Sequence, residues 1–328
     1  MIGIVLLAAF LIAGATAALV TPFVRKLALH VGMLDGVDDR RMHEQPKPRI
    51  GGISVYLGFA FALFAVVGFA LESTKLFHDP DSIHSFLGLL FGGTLILAVG
   101  IWDDVMSMRA RNKLIAQIVV ALISMIYGFV IQGTDNPFTH QWIAFPAWVG
   151  VPLTLVWYVG MMNAINFIDG LDGLLSGVTA IAGIFILAIS VGHGHLEVAL
   201  VLCALTGAVL GFLPYNFNPA KIILGDSGAL FIGYVFATIS IMGVSKIAIS
   251  VSLLIPAVVL ALPLVDTAVT IVRRTRAGRK ITDADRGHFH HQLVFRFGLN
   301  VKQAVLLIYA VQVALGLAAL ALSGGLKV

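Results

Sequence analysis

The chain has 328 residues, of which 59% are hydrophobic and only 12% are charged, and its mean hydropathy is +0.98. These values exclude an ordinary soluble globular protein. We therefore predict an all-α, polytopic integral membrane protein. No linker, low-complexity tract or repeat divides the chain, which favours a single domain over residues 1–328. The single cysteine, Cys203, allows no intrachain disulfide.

Apolar runs follow one another along the whole sequence. A spanning helix needs about 20 mainly apolar residues. The first run lacks a basic region before it and is longer than the apolar part of a typical signal peptide, so we count it as a span. We predict ten transmembrane helices, at 2–23, 51–71, 86–102, 114–131, 143–162, 174–192, 196–215, 227–243, 247–272 and 303–323.

Basic residues are distributed unequally between the two sides of these spans. Lys and Arg accumulate in cytoplasmic loops, which predicts that both termini lie outside. All of the 21 Lys and Arg residues except Lys75, Lys246 and Lys327 then lie on the cytoplasmic side. The same side receives a large group of acids: Asp35, Asp38, Asp39, Glu44, Asp103, Asp104, Asp169, Asp172, Asp226, Asp283 and Asp285.

These acids fall into two groups. We interpret Asp35, Asp38, Glu44, Asp283 and Asp285 as solvated loop acids that balance the loop bases. Asp103, Asp104, Asp169, Asp172 and Asp226 directly adjoin apolar helices, where an ionised carboxylate requires a cation. Aspartate oxygens are the usual ligands of Mg²⁺, which completes its shell with water and substrate phosphates.

The segment "IWDDVMSMRARNKL" ends the third span with the adjacent carboxylates Asp103 and Asp104 and continues to Lys113. Adjacent acids repel each other, so one could act as a base or both could hold a metal ion. An ordinary helix end with solvated charges is the alternative.

The segment "NAINFIDGLDGLLSG" places Asn163, Asn166, Asp169 and Asp172 at intervals of three. On a helix this spacing keeps the four polar groups near one face, so they could converge on one site. As an alternative, Asp172 caps the helix that starts near Leu174.

The segment "KIILGDSGALFIG" places Asp226 and Ser227 directly before an apolar run. Either residue could simply cap that helix. A phosphate or metal site at the helix start is the functional reading, because free backbone N–H groups and the helix dipole favour anions there.

Two cytoplasmic segments add cationic side chains. "DADRGHFHHQL" contains Arg286, His288, His290 and His291 without any cysteine, which disfavours zinc and favours phosphate binding or proton transfer. "DDRRMHEQPKPRIGG" is stiffened by prolines, and it suits a specific lipid phosphate or nucleotide better than general headgroup contact. Its basic residues are Arg40, Arg41, His43, Lys47 and Arg49.

These motifs in this order resemble the polyprenyl-phosphate N-acetylhexosamine-1-phosphate transferases, over about residues 25–305. The His-X-His-His arrangement and "PRIGG" are more similar to the WecA/TagO-like branch, which uses UDP-GlcNAc, than to MraY. The resemblance implies Mg²⁺-dependent transfer of a sugar 1-phosphate from a UDP-sugar to undecaprenyl phosphate in the bacterial inner membrane, with Mn²⁺ as a substitute ion. It also implies membrane lipids and no nucleic acid as partners, and it leaves a homodimer open.

Site residues are carried over from the resemblance position by position. The catalytic set is Asp103, Asp104 and His290. The metal positions are Asp226, Asn166 and Asp169. The substrate-binding set is Arg40, His43, Arg49, Lys113, Asn163, Asp172, Arg286, His288 and His291, with Asn163 and Asp172 at the nucleotide pocket.

The sequence departs from the family pattern in two respects. Val105 follows the acidic pair where relatives often carry a basic residue, and no eleventh span follows the tenth.

We favour direct attack by the lipid phosphate over an aspartyl-phosphate intermediate. UDP-N-acetylhexosamines other than UDP-GlcNAc and an MraY-type donor remain open. An ion-coupled transporter, with Asp266 inside a long apolar run, is the remote alternative.

Overall fold

The computed structural model describes residues 1–35, 46–73, 80–135, 141–244 and 289–323, together with isolated positions between 261 and 275. Four short strands form two antiparallel pairs: β1 (Leu34–Asp35) with β2 (Lys47–Pro48), and β3 (Gly133–Asp135) with β4 (Trp142–Ala144). The helices are α1 (Ile2–Val31), α2 (Gly52–Ser73), α3 (Pro80–Met106), α4 (Ala110–Ile126), α5 (Ala147–Ile168), α6 (Leu174–Gly192), α7 (Leu196–Asn216), α8 (Gly225–Val244), α9 (Phe289–Phe295) and α10 (Val301–Leu322).

Seven helices in the described part of the chain are long and apolar enough to cross a membrane. They are α1, α3, α5, α6, α7, α8 and α10. Helix α2 adds a shorter apolar stretch, Gly52–Val66. The prediction of an all-α, polytopic membrane protein is confirmed. The count of ten and the outside position of both termini stay predictions, since Asp266 and most of the proposed span 247–272 lie outside the described residues.

Helix α8 lies at the centre of the packing and contacts α2, α3 and α5. Its apolar side chains are buried on all sides, whereas α1 and α10 leave most of their residues facing outward. Several polar groups within this apolar core are paired between helices. Tyr158 on α5 hydrogen-bonds Thr238 on α8 at 2.9 Å, and Ser124 on α4 donates to the Tyr234 hydroxyl at 3.1 Å. Such pairing removes the cost of isolated polar groups in an apolar interior.

Helices α1 and α7 approach each other closely through glycine. A Cβ atom at Gly211 would lie 2.1 Å from the carbonyl oxygen of Gly14, and one at Gly207 would lie 2.2 Å from that of Phe10. Any larger residue at either position would force the backbones apart. Small residues serve this purpose in membranes because association depends on close van der Waals packing.

One end of the helix bundle is organised by the "PRIGG" segment. Ile223 donates its backbone N–H to the carbonyl of Pro48 at 2.9 Å, and Gly51 donates to the carbonyl of Ile223 at 3.0 Å. The backbone N–H of Arg49 donates in the opposite direction, to the carbonyl of Met33 at 3.0 Å. Residues 47–52 are therefore held between the end of α1 and the start of α8, and this fixes the position of Arg49.

Candidate functional site

The start of α8 is held by a carboxylate from another helix. Asp104, at the end of α3, accepts hydrogen bonds from the backbone N–H groups of Asp226 at 2.8 Å and Ser227 at 3.0 Å. A helix N-terminus has unpaired N–H groups and a partial positive charge, so a buried carboxylate is stabilised there. The cap of α8 thus comes from Asp104, which leaves the Asp226 side chain available for other contacts.

This arrangement depends on the backbone of Gly225. Its φ is +78°, in the left-handed region that disfavours residues with a side chain. A Cβ atom here would also lie 2.6 Å from Oδ2 of Asp104. Glycine is therefore required both for the turn into α8 and for the close approach of the capping carboxylate.

Arg49 connects three acids that are distant in sequence. Its guanidinium lies 3.3 Å from Asp35, 3.4 Å from Asp104 and 3.7 Å from Asp226. Asp35 is only 6% exposed, so our expectation that it is a solvated loop acid was wrong. The reason is the pairing of β1 with β2, which places the backbone of Asp35 opposite Lys47 and beside the "PRIGG" segment. Sequence spacing gives no sign of this pairing.

Lys113, near the start of α4, forms the second cationic contact. Its Nζ lies 2.8 Å from Oδ2 of Asp103 and 2.8 Å from Oδ1 of Asp226. It also donates to Oδ1 of Asn166 at 3.3 Å, while Nδ2 of Asn166 donates to Oδ1 of Asp226. Oδ1 of Asp103 is occupied by the backbone N–H of Met108 at 2.7 Å. Three predicted site motifs therefore meet at one lysine.

Asp169, the residue that follows α5, belongs to the same cluster electrostatically. Burial, together with the nearby carboxylates of Asp226 and Asp104, raises the pKa of Asp169 to about 8, although Arg49 acts in the opposite direction. The raised pKa means that burial, and then the neighbouring negative charges, disfavour the ionised form of this carboxyl group. The four acids of this cluster, Asp103, Asp104, Asp169 and Asp226, share only Arg49 and Lys113 as cationic partners among the described residues.

The cluster has more carboxylates than cationic side chains, so we asked whether its donor atoms suit a divalent cation. Asp226 and Asp169 supply carboxylate oxygens and Asn166 supplies an amide oxygen, a donor set that Mg²⁺ accepts. An added cation would also offset the carboxylate repulsion that raises the pKa of Asp169. These side chains suit Mg²⁺ in chemical type, but the described residues contain no group of three His, Cys, Asp or Glu side chains placed to hold a metal ion. The assignment of Asp226, Asn166 and Asp169 as metal positions stays a prediction.

Asp172 lies in a second, adjacent group. Its Oδ2 accepts from Nζ of Lys47 at 2.6 Å, from Nδ2 of Asn218 at 3.1 Å and from the backbone N–H of Ala220 at 2.9 Å. The residue at the N-cap of α6 is Gly173, so the alternative in which Asp172 caps this helix is wrong. Asp172 instead joins β2 to the 218–220 segment. We did not anticipate Lys47 or Asn218 as its partners, because both are far away in sequence.

Asn163 occupies a different place from its neighbours in the motif. Its Nδ2 donates to the backbone carbonyl of Val159 at 2.7 Å and to Oε1 of Gln117 on α4 at 2.9 Å. The four polar residues at intervals of three therefore separate: Asn166 and Asp169 belong to the acidic cluster, Asp172 contacts β2, and Asn163 contacts α4. No motif pointed to Gln117, although its position one helical turn after Lys113 is a signal in retrospect.

The remaining predicted residues are beyond what the structure describes. Arg40, His43, Arg286 and His288 lie outside the described residues. His290 and His291 fall within α9, but their side chains are not described. Their assignment as catalytic or substrate-binding residues stays a prediction.

Comparison with known proteins identifies the family of the chain. Residues 86–244, which carry most of the acidic cluster, match the glycosyl transferase family 4 model. The chain is 32% identical over 314 residues to a protein of Bacillus subtilis strain 168 named "Probable undecaprenyl-phosphate N-acetylglucosaminyl 1-phosphate transferase". That alignment covers 96% of this chain and 84% of the relative.

Two further relatives also match over most of their length. A decaprenyl-phosphate N-acetylglucosaminephosphotransferase of Mycolicibacterium smegmatis is 36% identical, over 90% of this chain and 78% of its own length. A phospho-N-acetylmuramoyl-pentapeptide-transferase of Bacillus thuringiensis is 30% identical, over 87% of each chain. The chain belongs to glycosyl transferase family 4. It is a multi-pass membrane enzyme of the phosphoglycosyl transferase class.

Proposed function

We propose that the protein transfers N-acetylglucosamine 1-phosphate from UDP-GlcNAc to undecaprenyl phosphate in a Mg²⁺-dependent reaction that releases UMP. The observation that carries this proposal is the cluster of four carboxylates at the ends of α3 and α5 and the start of α8, two of them buried and two half-buried, with Arg49 and Lys113 between them. The names of the Bacillus subtilis and Mycolicibacterium relatives support the sugar and the class of lipid acceptor.

The reaction requires positioning and charge neutralisation more than covalent help from the protein. An oxygen of the lipid phosphate attacks the β-phosphorus of UDP-GlcNAc, a new P–O bond forms, and the bond to the bridging oxygen breaks as UMP leaves. Such displacements proceed with the attacking and leaving oxygens in line. The second pKa of a phosphate monoester is about 6, so the acceptor is mostly a dianion at neutral pH and needs orientation more than deprotonation.

The two acids at the end of α3 receive different roles. Both oxygens of Asp104 are occupied by backbone N–H groups of α8, so we assign it the positioning of Asp226. Oδ2 of Asp103 contacts the ammonium group of Lys113. A phosphate oxygen could replace Asp103 in this contact with Lys113. We therefore assign Asp103 and Lys113 to the acceptor phosphate, in the direct-attack mechanism.

Asp226, Asn166 and Asp169 are proposed to hold Mg²⁺. When bound there, the ion would neutralise the charge of the donor diphosphate and assist departure of UMP. Lys113 and Arg49 contact Asp226 in the described structure, and both can turn toward phosphate oxygens when Asp226 takes another cation. The guanidinium group suits bidentate phosphate contact.

The nucleotide is proposed to bind beside Asp172. Lys47 and Asn218 place a cation and an amide around this carboxylate, next to the acidic cluster. The Asn163 side chain contacts α4, so we assign it only an indirect contribution to nucleotide binding, through the position of α5. Arg40, His43, Arg286, His288, His290 and His291 are proposed to contact the donor phosphates or sugar, with His290 in proton transfer.

Exposed apolar side chains lie beside the acidic pair, and they suit a substrate with a lipid tail. Trp102, Val105 and Met106 flank the acidic pair and expose 60%, 44% and 69% of their surfaces. Exposed apolar residues beside a buried polar site are compatible with a lipid tail. We propose that the site faces the cytoplasm of a bacterium from its inner membrane, and that the product starts an envelope glycan such as O-antigen or teichoic acid.

The proposal is tested by incubating the purified protein with UDP-GlcNAc, undecaprenyl phosphate and Mg²⁺ and measuring UMP. We expect UMP and a lipid-linked GlcNAc diphosphate in equal amounts, and neither product after chelation of the metal. UDP-GalNAc and UDP-MurNAc-pentapeptide serve as competing donors. UMP formation with one of these and not with UDP-GlcNAc would overturn the donor assignment, and no UMP with any donor would overturn the transferase proposal.

A further inference from the structure

Gln117 lies on α4 beneath the acidic cluster and belongs to none of the motifs discussed above. Its side chain is 1% exposed, and its Oε1 accepts a hydrogen bond from Nδ2 of Asn163 at 2.9 Å. Lys113 precedes Gln117 by four residues, and Asn166 follows Asn163 by three. Since residues at these spacings share one face of a helix, the amide pair lies directly below the two site residues on the same facing helices.

The orientation of both amides is determined by the backbone. Nδ2 of Asn163 also donates to the carbonyl oxygen of Val159 at 2.7 Å, so the nitrogen of that amide must point this way. The group of Gln117 that faces it must then be the oxygen. This leaves Nε2 of Gln117 buried and without a hydrogen-bond partner among the described residues.

The buried amide of Gln117 has a hydrogen bond to its oxygen but, within the described part of the chain, none from its nitrogen, which is unfavourable if the side chain serves only to fill space. An apolar side chain of similar shape would avoid the cost of the unpaired N–H groups. What the amide provides is direction, because a hydrogen bond between facing helices sets their rotation and axial position. One turn away, this position brings Nζ of Lys113 to 2.8 Å from Asp226 and 3.3 Å from Asn166.

We propose that Gln117 is a positioning residue for the transfer reaction. Through Asn163 it sets the position of α4 against α5, and thereby the contact of Lys113 with Asp226 and Asn166. The inference rests on the proposed function. A displacement of about 1 Å in a catalytic arrangement can lower the rate on the order of 100-fold, so a contact outside the site can have a large effect on turnover.

The test uses Gln117→Met, which removes the amide and keeps a similar length and volume. We expect kcat to fall on the order of tenfold or more, while KM for UDP-GlcNAc changes by less than about twofold because the Lys47–Asp172 region is untouched. The thermal midpoint in detergent should stay equal or rise, since the unpaired N–H groups are gone. Higher stability with slower turnover is a result that a merely structural role would not produce.

Two further variants complete the test. Gln117→Met/Asn163→Leu removes both amides and should fold as stably as the wild type but stay slow. Thr206→Val removes a buried hydroxyl without a described partner on α7 and should leave kcat unchanged. The inference is overturned if either Gln117 variant turns over within twofold of the wild type, or if kcat falls only together with thermal stability. Absence of UMP from the wild type would instead overturn the proposed function, and this inference with it.

Discussion

The carboxylate of Asp104 accepts the backbone N–H groups of Asp226 at 2.8 Å and of Ser227 at 3.0 Å, so one acid of the site caps the helix that carries another. Asp104 is 7% exposed, and burial of its charge would be costly without these two hydrogen bonds and the contact with Arg49. The two acids thus have separate tasks. Asp104 fixes the start of α8, and Asp226 presents its oxygens to Lys113, Arg49 and Asn166.

Replacement of Asp104 by Asn should harm both stability and activity. An amide offers one oxygen to two N–H donors and turns its own NH₂ group toward one of them. The loss of a helix cap costs about 1 kcal/mol of unfolding free energy, and turnover should fall because Asp226 moves. Thermal unfolding in detergent and UMP release measure the two effects.

The matched control is the cap of α10, where Asn300 and Gln303 form a capping box. Asn300→Ala should lose a similar amount of stability and retain turnover. Equal losses of turnover in the two cap variants would show that Asp104 acts only through overall stability.

Replacement of Lys113 by Met should lower kcat on the order of 100-fold. The variant loses the ammonium group that lies 2.8 Å from both Asp103 and Asp226, so these carboxylates repel each other and the acceptor phosphate loses its proposed partner. Steady-state UMP release measures the change. Lys302→Met, at an exposed lysine of α10, should behave as the wild type. A Lys113→Met enzyme with wild-type kcat would remove Lys113 from the site.

Mg²⁺ should stabilise the wild-type protein against heat through Asp226. At about 100 times its Kd, a ligand that binds only the folded state adds about 2.7 kcal/mol to the unfolding free energy. Asp226→Asn should fold, lose turnover and lose this Mg²⁺-dependent increase in the thermal midpoint. Glu197→Gln, at the start of α7 where Glu197 accepts from Ser82 at 2.9 Å, should keep it. An unchanged Mg²⁺ response in Asp226→Asn would place the ion elsewhere.

Replacement of Lys47 by Met should weaken donor binding more than it slows the chemical step. The Lys47 ammonium lies 2.6 Å from Asp172, apart from the Asp103–Lys113 contact that we assign to the acceptor. We expect KM for UDP-GlcNAc to rise about tenfold, equivalent to about 1.4 kcal/mol, with a smaller change in kcat. Lys221→Met, at a nearby exposed lysine, is the control. A rise in the KM for undecaprenyl phosphate alone would assign Lys47 to the other substrate.

Replacement of Gly211 by Ala should destabilise the helix bundle. The new Cβ would lie 2.1 Å from the backbone oxygen of Gly14, and such overpacking typically costs about 1–3 kcal/mol. Gly160→Ala is the control, because a Cβ at that helical position meets nothing within 4 Å. We expect a lower thermal midpoint for Gly211→Ala and an equal or higher one for Gly160→Ala. Equal midpoints would contradict the close α1–α7 packing.

The sequence by itself determined the membrane class, the approximate position of the described helices and the main acids of the site. These follow from local properties, because apolar length decides whether a segment can span a bilayer and a carboxylate beside such a segment requires a partner. The predicted span 174–192 coincides with α6, whereas 143–162 stops six residues before the end of α5. The polar residues at the end of α5 lower its hydropathy without ending its hydrogen bonding.

Only the tertiary structure decided which side chain contacts which. It assigned Asp35 to Arg49, Asp172 to Lys47 and Asn218, and Asp104 to the backbone of α8. It also separated Asn163 from Asp172 and brought Gln117 beneath Lys113. Apart from the placement of Gln117 beneath Lys113, each of these contacts joins segments that are far apart in the sequence. Local spacing cannot specify such pairs, because they depend on how α3, α4 and α5 pack around α8 and on the pairing of β1 with β2.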